Sequence, residues 1–307
     1  MQRSEEQIFE AHRPRLLGLA YRMLGSHAEA EDVVQETYLR WAQSRPSELD
    51  SAHAWLMKVC GRLAIDHLRS ARVRREHYVG PWLPEPWLRC DRVPSDKVEL
   101  DESISMAMLV LLERLSAGER ASFVLHDVFD MTFDEVGESL GKSPAACRKL
   151  ASRARAFLRD NRPRFSPEVD EHRRITEAFS KAVHAGDLGA LESLLCDDVA
   201  IVSDGGGKAS ALRDVLRGRE AVGRFLIRVL GNLRRKRNDG TAPPEAEAAG
   251  ELRWFNGAPG WLRYVDGELV TAMSWSVVDG KIQEIYALRN PDKLAHFDAA
   301  DESEGRA

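Results

Sequence analysis

The sequence predicts a multidomain protein: two all-α domains, the second built on a helix-turn-helix, followed by a separate α+β domain. Three observations carry that reading. Apolar residues recur at helical spacing through most of residues 5–162. Two helix patterns within 132–160 are separated only by Gly141-Lys142-Ser143, a turn that fits two helices meeting at an angle. Beyond residue 250 the period becomes strand-like, with Asp266-Gly267 and Asp279-Gly280 standing as hairpin turns between apolar runs.

In the first domain, residues 1–78, the helical pattern breaks only at Gly25-Ser26 and at Ser44–Ser51. Ala28–Trp41 sets Val33, Val34, Thr37, Tyr38 and Trp41 on one face and Asp32, Gln35, Glu36 and Arg40 on the other. Ala52–Arg75 is expected to bury Trp55, Leu56, Val59, Leu63, Ile65 and Leu68 and turns cationic at its end, where positive charge also suits the helix dipole. Residues 79–104 form a linker: Pro81–Pro94 is too rich in proline for a continuous helix. Trp82, Leu83 and Trp87 carry too much apolar surface for a free spacer, so they should dock on the neighbouring helices or on another domain.

The second domain, 105–163, resumes with helices at Asp101–Leu115 and Gly118–Phe129. Thr132 and Glu135 form a capping box for the next helix, Gly141 ends it, and Ser143-Pro144 starts another. That last helix, Ser143–Asp160, sets Cys147, Leu150, Ala151, Ala154, Phe157 and Leu158 against its own domain. Arg148, Lys149, Ser152, Arg153, Arg155 and Arg159 face outward, either as a DNA recognition helix or as an ordinary solvated face.

The third domain, 164–298, opens with helices at Val169–Ala185 and Leu188–Leu195, a strand at Val199–Ser203 and a helix at Arg219–Leu233. Strands follow at Leu252–Phe255, Trp261–Val265, Leu269–Val278 and Lys281–Leu288, consistent with a curved sheet wrapped around a helix. Arg234–Arg237 with the following Asn-Asp-Gly, and Pro243–Ala249, read as mobile loops, and residues 299–307 as a flexible tail. Asp204–Lys208 (DGGGK) is not a phosphate-binding loop, because Val202 and Ala209 stand where a glycine and a Ser or Thr are required; a tight glycine turn fits better.

Composition bounds the function. With 307 residues, 30% charged and 43% hydrophobic, the chain is long enough for several globular cores. No apolar run reaches membrane-spanning length and Met1–Arg13 lacks a signal-peptide pattern, so no membrane partner and a cytoplasmic location are expected. Cys60, Cys90, Cys147 and Cys196 lack metal-ligand spacing and read as buried free thiols, with no metal and no cofactor. The net charge of −5 argues against indiscriminate nucleic-acid binding, yet Arg62, Arg69, Arg72, Arg74 and Arg75 are opposed locally only by Asp66. DNA contact should therefore be confined to patches.

The order of these features resembles a known family. Phe9–Leu24, Ala30–Trp41, Ala54–Arg69 and Phe133–Leu158 are similar to regions two and four of an extracytoplasmic-function sigma factor of bacterial RNA polymerase. Residues 170–297 resemble a SnoaL-like domain of the cone-shaped α+β superfamily. A subgroup that carries this extension is marked by WLPEP (Trp82, Leu83, Pro84, Glu85, Pro86), DGGGK (Asp204, Gly205, Gly206, Gly207, Lys208) and NPDKL (Asn290, Pro291, Asp292, Lys293, Leu294). The resemblance implies that the protein binds RNA polymerase core and promoter DNA, is not an enzyme, and is modulated by its own third domain through those three motifs. Polymerase docking then falls to Asp32, Gln35 and Glu36, opening of the downstream promoter element to Asp66, Arg69, Arg72, Arg74 and Arg75, and reading of the upstream element to Arg148, Lys149, Ser152 and Arg153. Catalysis by His184, Asp198 or Asp204 lacks a paired base and oxyanion partner, whereas a small apolar ligand suits the cavity such folds leave beneath the sheet. The alternative is a ligand-responsive helix-turn-helix regulator that does not bind polymerase core. The polar face of Ala28–Trp41 argues against it.

Overall fold

The computed structural model describes residues 5–44, 52–87, 104–161, 169–238, 250–295 and 297. It divides into two compact units: Met1–His77 with Met108–Arg162, and Tyr78–Ala107 with Pro163–Ala307. The expectations for residues 45–51, Cys90, Pro243–Ala249 and the tail 299–307 lie outside the described residues, as do linker residues 88–103.

The first unit is helical. Helices α1 (Glu5–Leu24), α2 (His27–Ser44) and α3 (Ala52–Arg75) pack on one another. The break between α1 and α2 is glycine chemistry: Gly25 takes φ 68° and donates its N–H to the Tyr21 carbonyl at 2.7 Å, and the Ser26 hydroxyl then caps α2 through the Glu29 N–H at 3.3 Å. Leu16, Leu19, Val33, Trp41, Leu56 and Ile65 fill the core, each such side chain contributing about 1.5–3 kcal/mol by leaving water. From Met108 onward α4 (Met106–Glu113) belongs to the same unit, which continues with α5 (Ala117–Phe123). Ser116 and Glu119 cap α5 with a capping box, and a π-helical turn at Val124–Val128 follows it. Then come α6 (Phe133–Leu140) and α7 (Pro144–Asn161).

The second unit begins with the extended linker at 81–87 and continues with α8 (Val169–Ala185) and α9 (Leu188–Ser193). Its sheet consists of β1 (Leu195–Asp204), β2 (Leu216–Arg217), β3 (Gly250–Phe255), β4 (Ala258–Val265), β5 (Glu268–Val278) and β6 (Lys281–Leu288), in the order β2-β1-β6-β5-β4-β3. Only β1 and β6 run parallel; the other neighbours are antiparallel, joined at β3–β4, β4–β5 and β5–β6 by hairpins. At those hairpins Asn256-Gly257, Asp266-Gly267 and Asp279-Gly280 all take positive φ, as a two-residue turn that follows the strand twist requires. The core forms where Phe179 of α8 meets Trp261 and Trp275 of the sheet, at ring separations of 6.2 and 4.8 Å.

Several local expectations are corrected. Helix α10 runs from Arg219 to Asn238, so Arg234–Arg237 is helical and not loop. Arginine and lysine are good helix formers and suit a helix C-terminus, and after Gly231 no glycine or proline intervenes before Gly240. Strand β1 starts earlier than expected, at Leu195, and the short β2 carries too little pattern to be seen in sequence. Cys60 and Cys147 are buried free thiols but Cys196 is half-buried; burial pushes the Cys60 thiol up to about 12. Among the described residues no helix is long and apolar enough to cross a membrane.

Candidate nucleic-acid interface and linker clasp

The helix-turn-helix is specified locally. Thr132 and Glu135 complete their capping box, Gly141 ends α6 at φ 65°, and the Ser143 hydroxyl accepts from the Ala146 N–H at 3.3 Å to start α7. Gly137 has to be glycine, since a Cβ there would sit 2.7 Å from the Lys142 carbonyl in the turn. Cys147, Ala151, Ala154 and Leu158 are buried, which turns Arg148, Lys149, Ser152 and Arg153 to the exposed side of α7. Arg155 is tied to Asp127 at 2.6 Å, but among the described residues no carboxylate pairs with Arg148, Lys149 or Arg153. The helix therefore offers uncompensated cations and a hydroxyl, the groups that meet phosphates and base edges in a DNA groove.

The end of α3 is arranged differently. Asp66 and Arg69 are exposed and face each other at 3.4 Å. Arg72 donates to the Leu115 carbonyl at 3.1 Å and Arg74 to Glu29 at 2.5 Å. Arg75 is half-buried between Glu113 at 2.5 Å and the Leu24 carbonyl at 2.6 Å; burial lowers its pKa, with Glu113 opposing. Glu113 also takes Arg120 at 2.5 Å, and Arg120 reaches the Met23 carbonyl at 2.9 Å and the Leu112 carbonyl at 2.8 Å. These bonds, with the Lys58–Glu138 pair, join the first three helices to the helix-turn-helix side of the unit. On α2, Asp32 and Gln35 are exposed, while Glu36 is half-buried and holds Arg40 at 2.6 Å.

In the second unit the structure brings WLPEP, DGGGK and NPDKL together. Asp204, fully buried at the end of β1, is the centre: its carboxylate accepts from the Tyr78 hydroxyl at 2.6 Å, the Leu83 N–H at 2.9 Å, the Gly206 N–H at 3.0 Å and Lys293 Nζ at 2.8 Å. Lys293 also donates to the Leu83 carbonyl at 2.5 Å and lies 3.9 Å from the centre of the Trp82 ring, a cation–π contact inside a closed site. Asn290 donates to the Tyr78 hydroxyl at 2.8 Å, and burial together with the Asp204 hydrogen bond pushes the Tyr78 phenol well above its ordinary range. The glycines are space for this clasp: a Cβ on Gly206 would fall 2.3 Å from Asn290, and one on Gly205 2.3 Å from the Ala209 carbonyl. Leu83, Pro84, Glu85 and Pro86 are buried, whereas Lys208 pairs with Asp292 at 2.6 Å on the exposed rim. The remaining motif residues frame the contact: Gly207 passes against Val79, Pro291 is exposed, and Leu294 is 3% exposed.

Beneath the sheet lies a cavity of about 160 Å³ between the inner faces of β1, β4, β5 and β6 and helix α10. His184, Asp198 and Asp204 do not converge there: Asp198 is exposed, His184 bonds the Ser180 carbonyl, and Asp204 serves the linker. Among the described residues no cluster of His, Cys, Asp and Glu could hold a metal ion.

Family comparisons agree with this geometry. Residues 8–74 match the model of sigma-70 region 2, and residues 105–158 that of sigma-70 region 4. The chain is 40% identical over 300 residues to the ECF RNA polymerase sigma factor SigJ of Mycobacterium tuberculosis, covering 94% of this chain and 93% of that protein. The chain belongs to the extracytoplasmic-function sigma factors of RNA polymerase. A second relative, described as a probable ECF sigma factor SigI from Mycobacterium tuberculosis, is 32% identical over 289 residues and matches 93% of each chain. The crystal structure of SigJ from the same organism superposes with a TM-score of 0.72 at 35% identity, across 94% of this chain and 97% of that one. The sigma factor thus keeps helical regions two and four followed by a helix-plus-sheet domain, and its class is that of an initiation factor that works with polymerase core on promoter DNA.

Some functional candidates in the sigma factor escaped sequence reading. Tyr78, just before the linker, supplies a hydroxyl to both Asp204 and Asn290. Asn256 exchanges hydrogen bonds with Trp87 at 2.9 and 3.1 Å and its side chain also donates to the Ile104 carbonyl at 2.9 Å, so one residue ties Trp87 and Ile104 to the β3–β4 turn. An Asn-Gly pair is a strong hairpin signal that could have placed the Asn256 turn, but nothing local points to its partners.

Proposed function

We propose that this sigma factor is controlled in cis: the third domain sets the reach between regions two and four by gripping the chain that joins them. The observation that carries this reading is the buried Asp204–Lys293 pair closing over Tyr78 and Leu83 of the linker. A tethered domain acts at high effective concentration, so a modest clasp suffices to restrain the two DNA-binding modules. In the same reading Asp32, Gln35 and Glu36 dock the polymerase, Arg69, Arg72 and Arg74 serve the downstream promoter element, and Arg148, Lys149, Ser152 and Arg153 read the upstream one. The third domain then acts as a regulator and not as a catalyst, in the cytoplasm where polymerase works.

In vitro transcription with core polymerase tests the proposal. Full-length protein is compared with chains ending at Arg164 or lacking Asn290–Ala307, and with Trp82→Ala and Lys293→Met. Coupling of ordinary size predicts promoter output differing by about five- to a hundredfold among them. Equal output at equal concentration would make the third domain a passenger.

A further inference from the structure

The sheet carries a second set of cations, on the face away from the clasp. Arg263 of β4 stands opposite Thr271 of β5, and since Ala272 faces Leu288, the next pair along the same ladder is Thr271 with Arg289. Arg263, Thr271 and Arg289 therefore form one row, adjacent on the same face to the row of Trp261, Met273 and Ala287. This row lines the cavity of about 160 Å³ under α10.

Among the described residues no acid neutralises it. Arg263 is only 7% exposed, and among the described residues neither it nor Arg289 is in an ion pair. Arg289 spends Nη1 on the Ser210 carbonyl, while its Nε is buried without a hydrogen-bond partner. Burial lowers the pKa of both guanidiniums, and Arg289 lowers that of Arg263 further by repulsion. Two like charges held in a half-closed cavity call for an anion, because a buried charge without a counter-charge is costly. Apart from Ser203 and Ser210 the rest of the lining is apolar, from Phe225 and Leu226 of α10 to Met273 of the sheet. A cavity near this size is about what a benzene ring needs.

We propose that the cavity binds a small monocarboxylate with a compact apolar body, of benzoate or hexanoate size, its carboxylate between Arg263 and Arg289 and its body against Phe225, Leu226 and Met273. The site also reaches the clasp through adjacent residues: Ser203 lines the cavity where Asp204 grips the linker, and Arg289 lines it where Asn290 holds Tyr78. Ligand binding then biases linker release, a consequence that rests on the regulatory reading above, whereas binding itself does not.

Calorimetry on the full-length protein tests the site with benzoate, hexanoate, their amides and inorganic phosphate. The carboxylates should bind saturably and at least about tenfold tighter than the amides. Arg263→Gln and Arg289→Gln should each abolish that preference, and Phe225→Trp, which fills the cavity and leaves the arginines in place, should block both carboxylates. Equal binding of acid and amide, binding of phosphate alone, or no binding of either carboxylate overturns the proposal. Promoter output with and without benzoate is read separately. Binding without a change in transcription upholds the site and removes only its link to the clasp.

Discussion

Two cationic helix faces look alike in the sequence and differ in the fold. At the end of α3 the guanidiniums of Arg72, Arg74 and Arg75 meet a carbonyl, Glu29 and Glu113, whereas Arg148, Lys149 and Arg153 on α7 stand exposed with no acid partner among the described residues. A run of arginines in sequence counts cations but not the counter-charges that folding delivers from elsewhere. Glu29 lies 45 residues from Arg74, and Glu113 lies 38 from Arg75. Under the proposed assignment of both faces to DNA the consequence is an asymmetry: the cations of α7 would be available to phosphate as they stand, while Arg72, Arg74 and Arg75 would first have to release their protein partners.

The contrast should be largest at Arg120, whose side chain is 2% exposed and shared among Glu113 and two backbone carbonyls. Arg120→Ala leaves Glu113 with less counter-charge in a largely buried site, and a loss of about 3–5 kcal/mol in unfolding free energy is expected. Arg153→Ala, on the exposed face, should stay within about 0.5 kcal/mol. Urea denaturation of the full chain, followed by tryptophan fluorescence, makes the comparison. Similar costs at the two positions would erase the distinction between an internal and an available cation.

A buried basic group with no acid partner among the described residues extends the series. His172 is 7% exposed, its Nε2 has no hydrogen-bond partner, and burial holds its pKa at about 4 instead of 6.5. The native state binds fewer protons than the unfolded chain between those values, so stability rises with pH across that window. Its contribution is complete above pH 6.5 and declines by about 3 kcal/mol as pH falls to 4. Denaturation midpoints at several pH values check this: His172→Gln should flatten the profile relative to the native sequence. Parallel profiles would mean that the histidine is open to protons in the folded protein.

What was legible in the sequence is what is settled within a few residues. Thr132 with Glu135, Gly141, and Ser143-Pro144 spell out the helix-turn-helix through their own capping chemistry, and the Asp-Gly pairs fix two of the hairpins. The motifs of the clasp could be marked, but their arrangement depends on pairs as distant as Tyr78 with Asp204, 126 residues apart, and Asn256 with Ile104, 152 apart. Charge neutralisation is long-range in the same way, which is why the sequence shows Arg75 as an open cation where the fold ties it to Glu113 and the Leu24 carbonyl.

On the exposed side, Lys149→Ala should weaken every promoter alike and lower the dependence of log affinity on log salt by about 0.9, the signature of one phosphate contact. Arg148→Ala or Arg153→Ala should instead relax sequence preference by about 1–3 kcal/mol if either guanidinium reads a guanine. Binding to promoter variants across a salt series separates the two patterns. Native affinity and native slope in all three variants would place the recognition face elsewhere.

The smallest effect tests whether region two holds its arginines in reserve. Glu29, 24% exposed, pairs with Arg74, whose side chain is 57% exposed, and more distantly with Arg75 at 3.7 Å; a solvent-accessible pair like Glu29–Arg74 contributes about 0.2–1 kcal/mol. Glu29→Gln should free Arg74 for phosphate while Arg75 keeps Glu113, so affinity for downstream-element DNA should rise by about two- to fivefold at low salt and return to the native value at high salt. Glu31→Gln is the matched control, since it removes the same charge from α2 but releases Arg13, which sits on α1. A rise confined to Glu29→Gln identifies Arg74 as a contact masked by its own fold. Equal rises in both variants would reduce the effect to net charge, and the difference drawn between the two cationic faces would then have to rest on Arg72 and Arg75 alone.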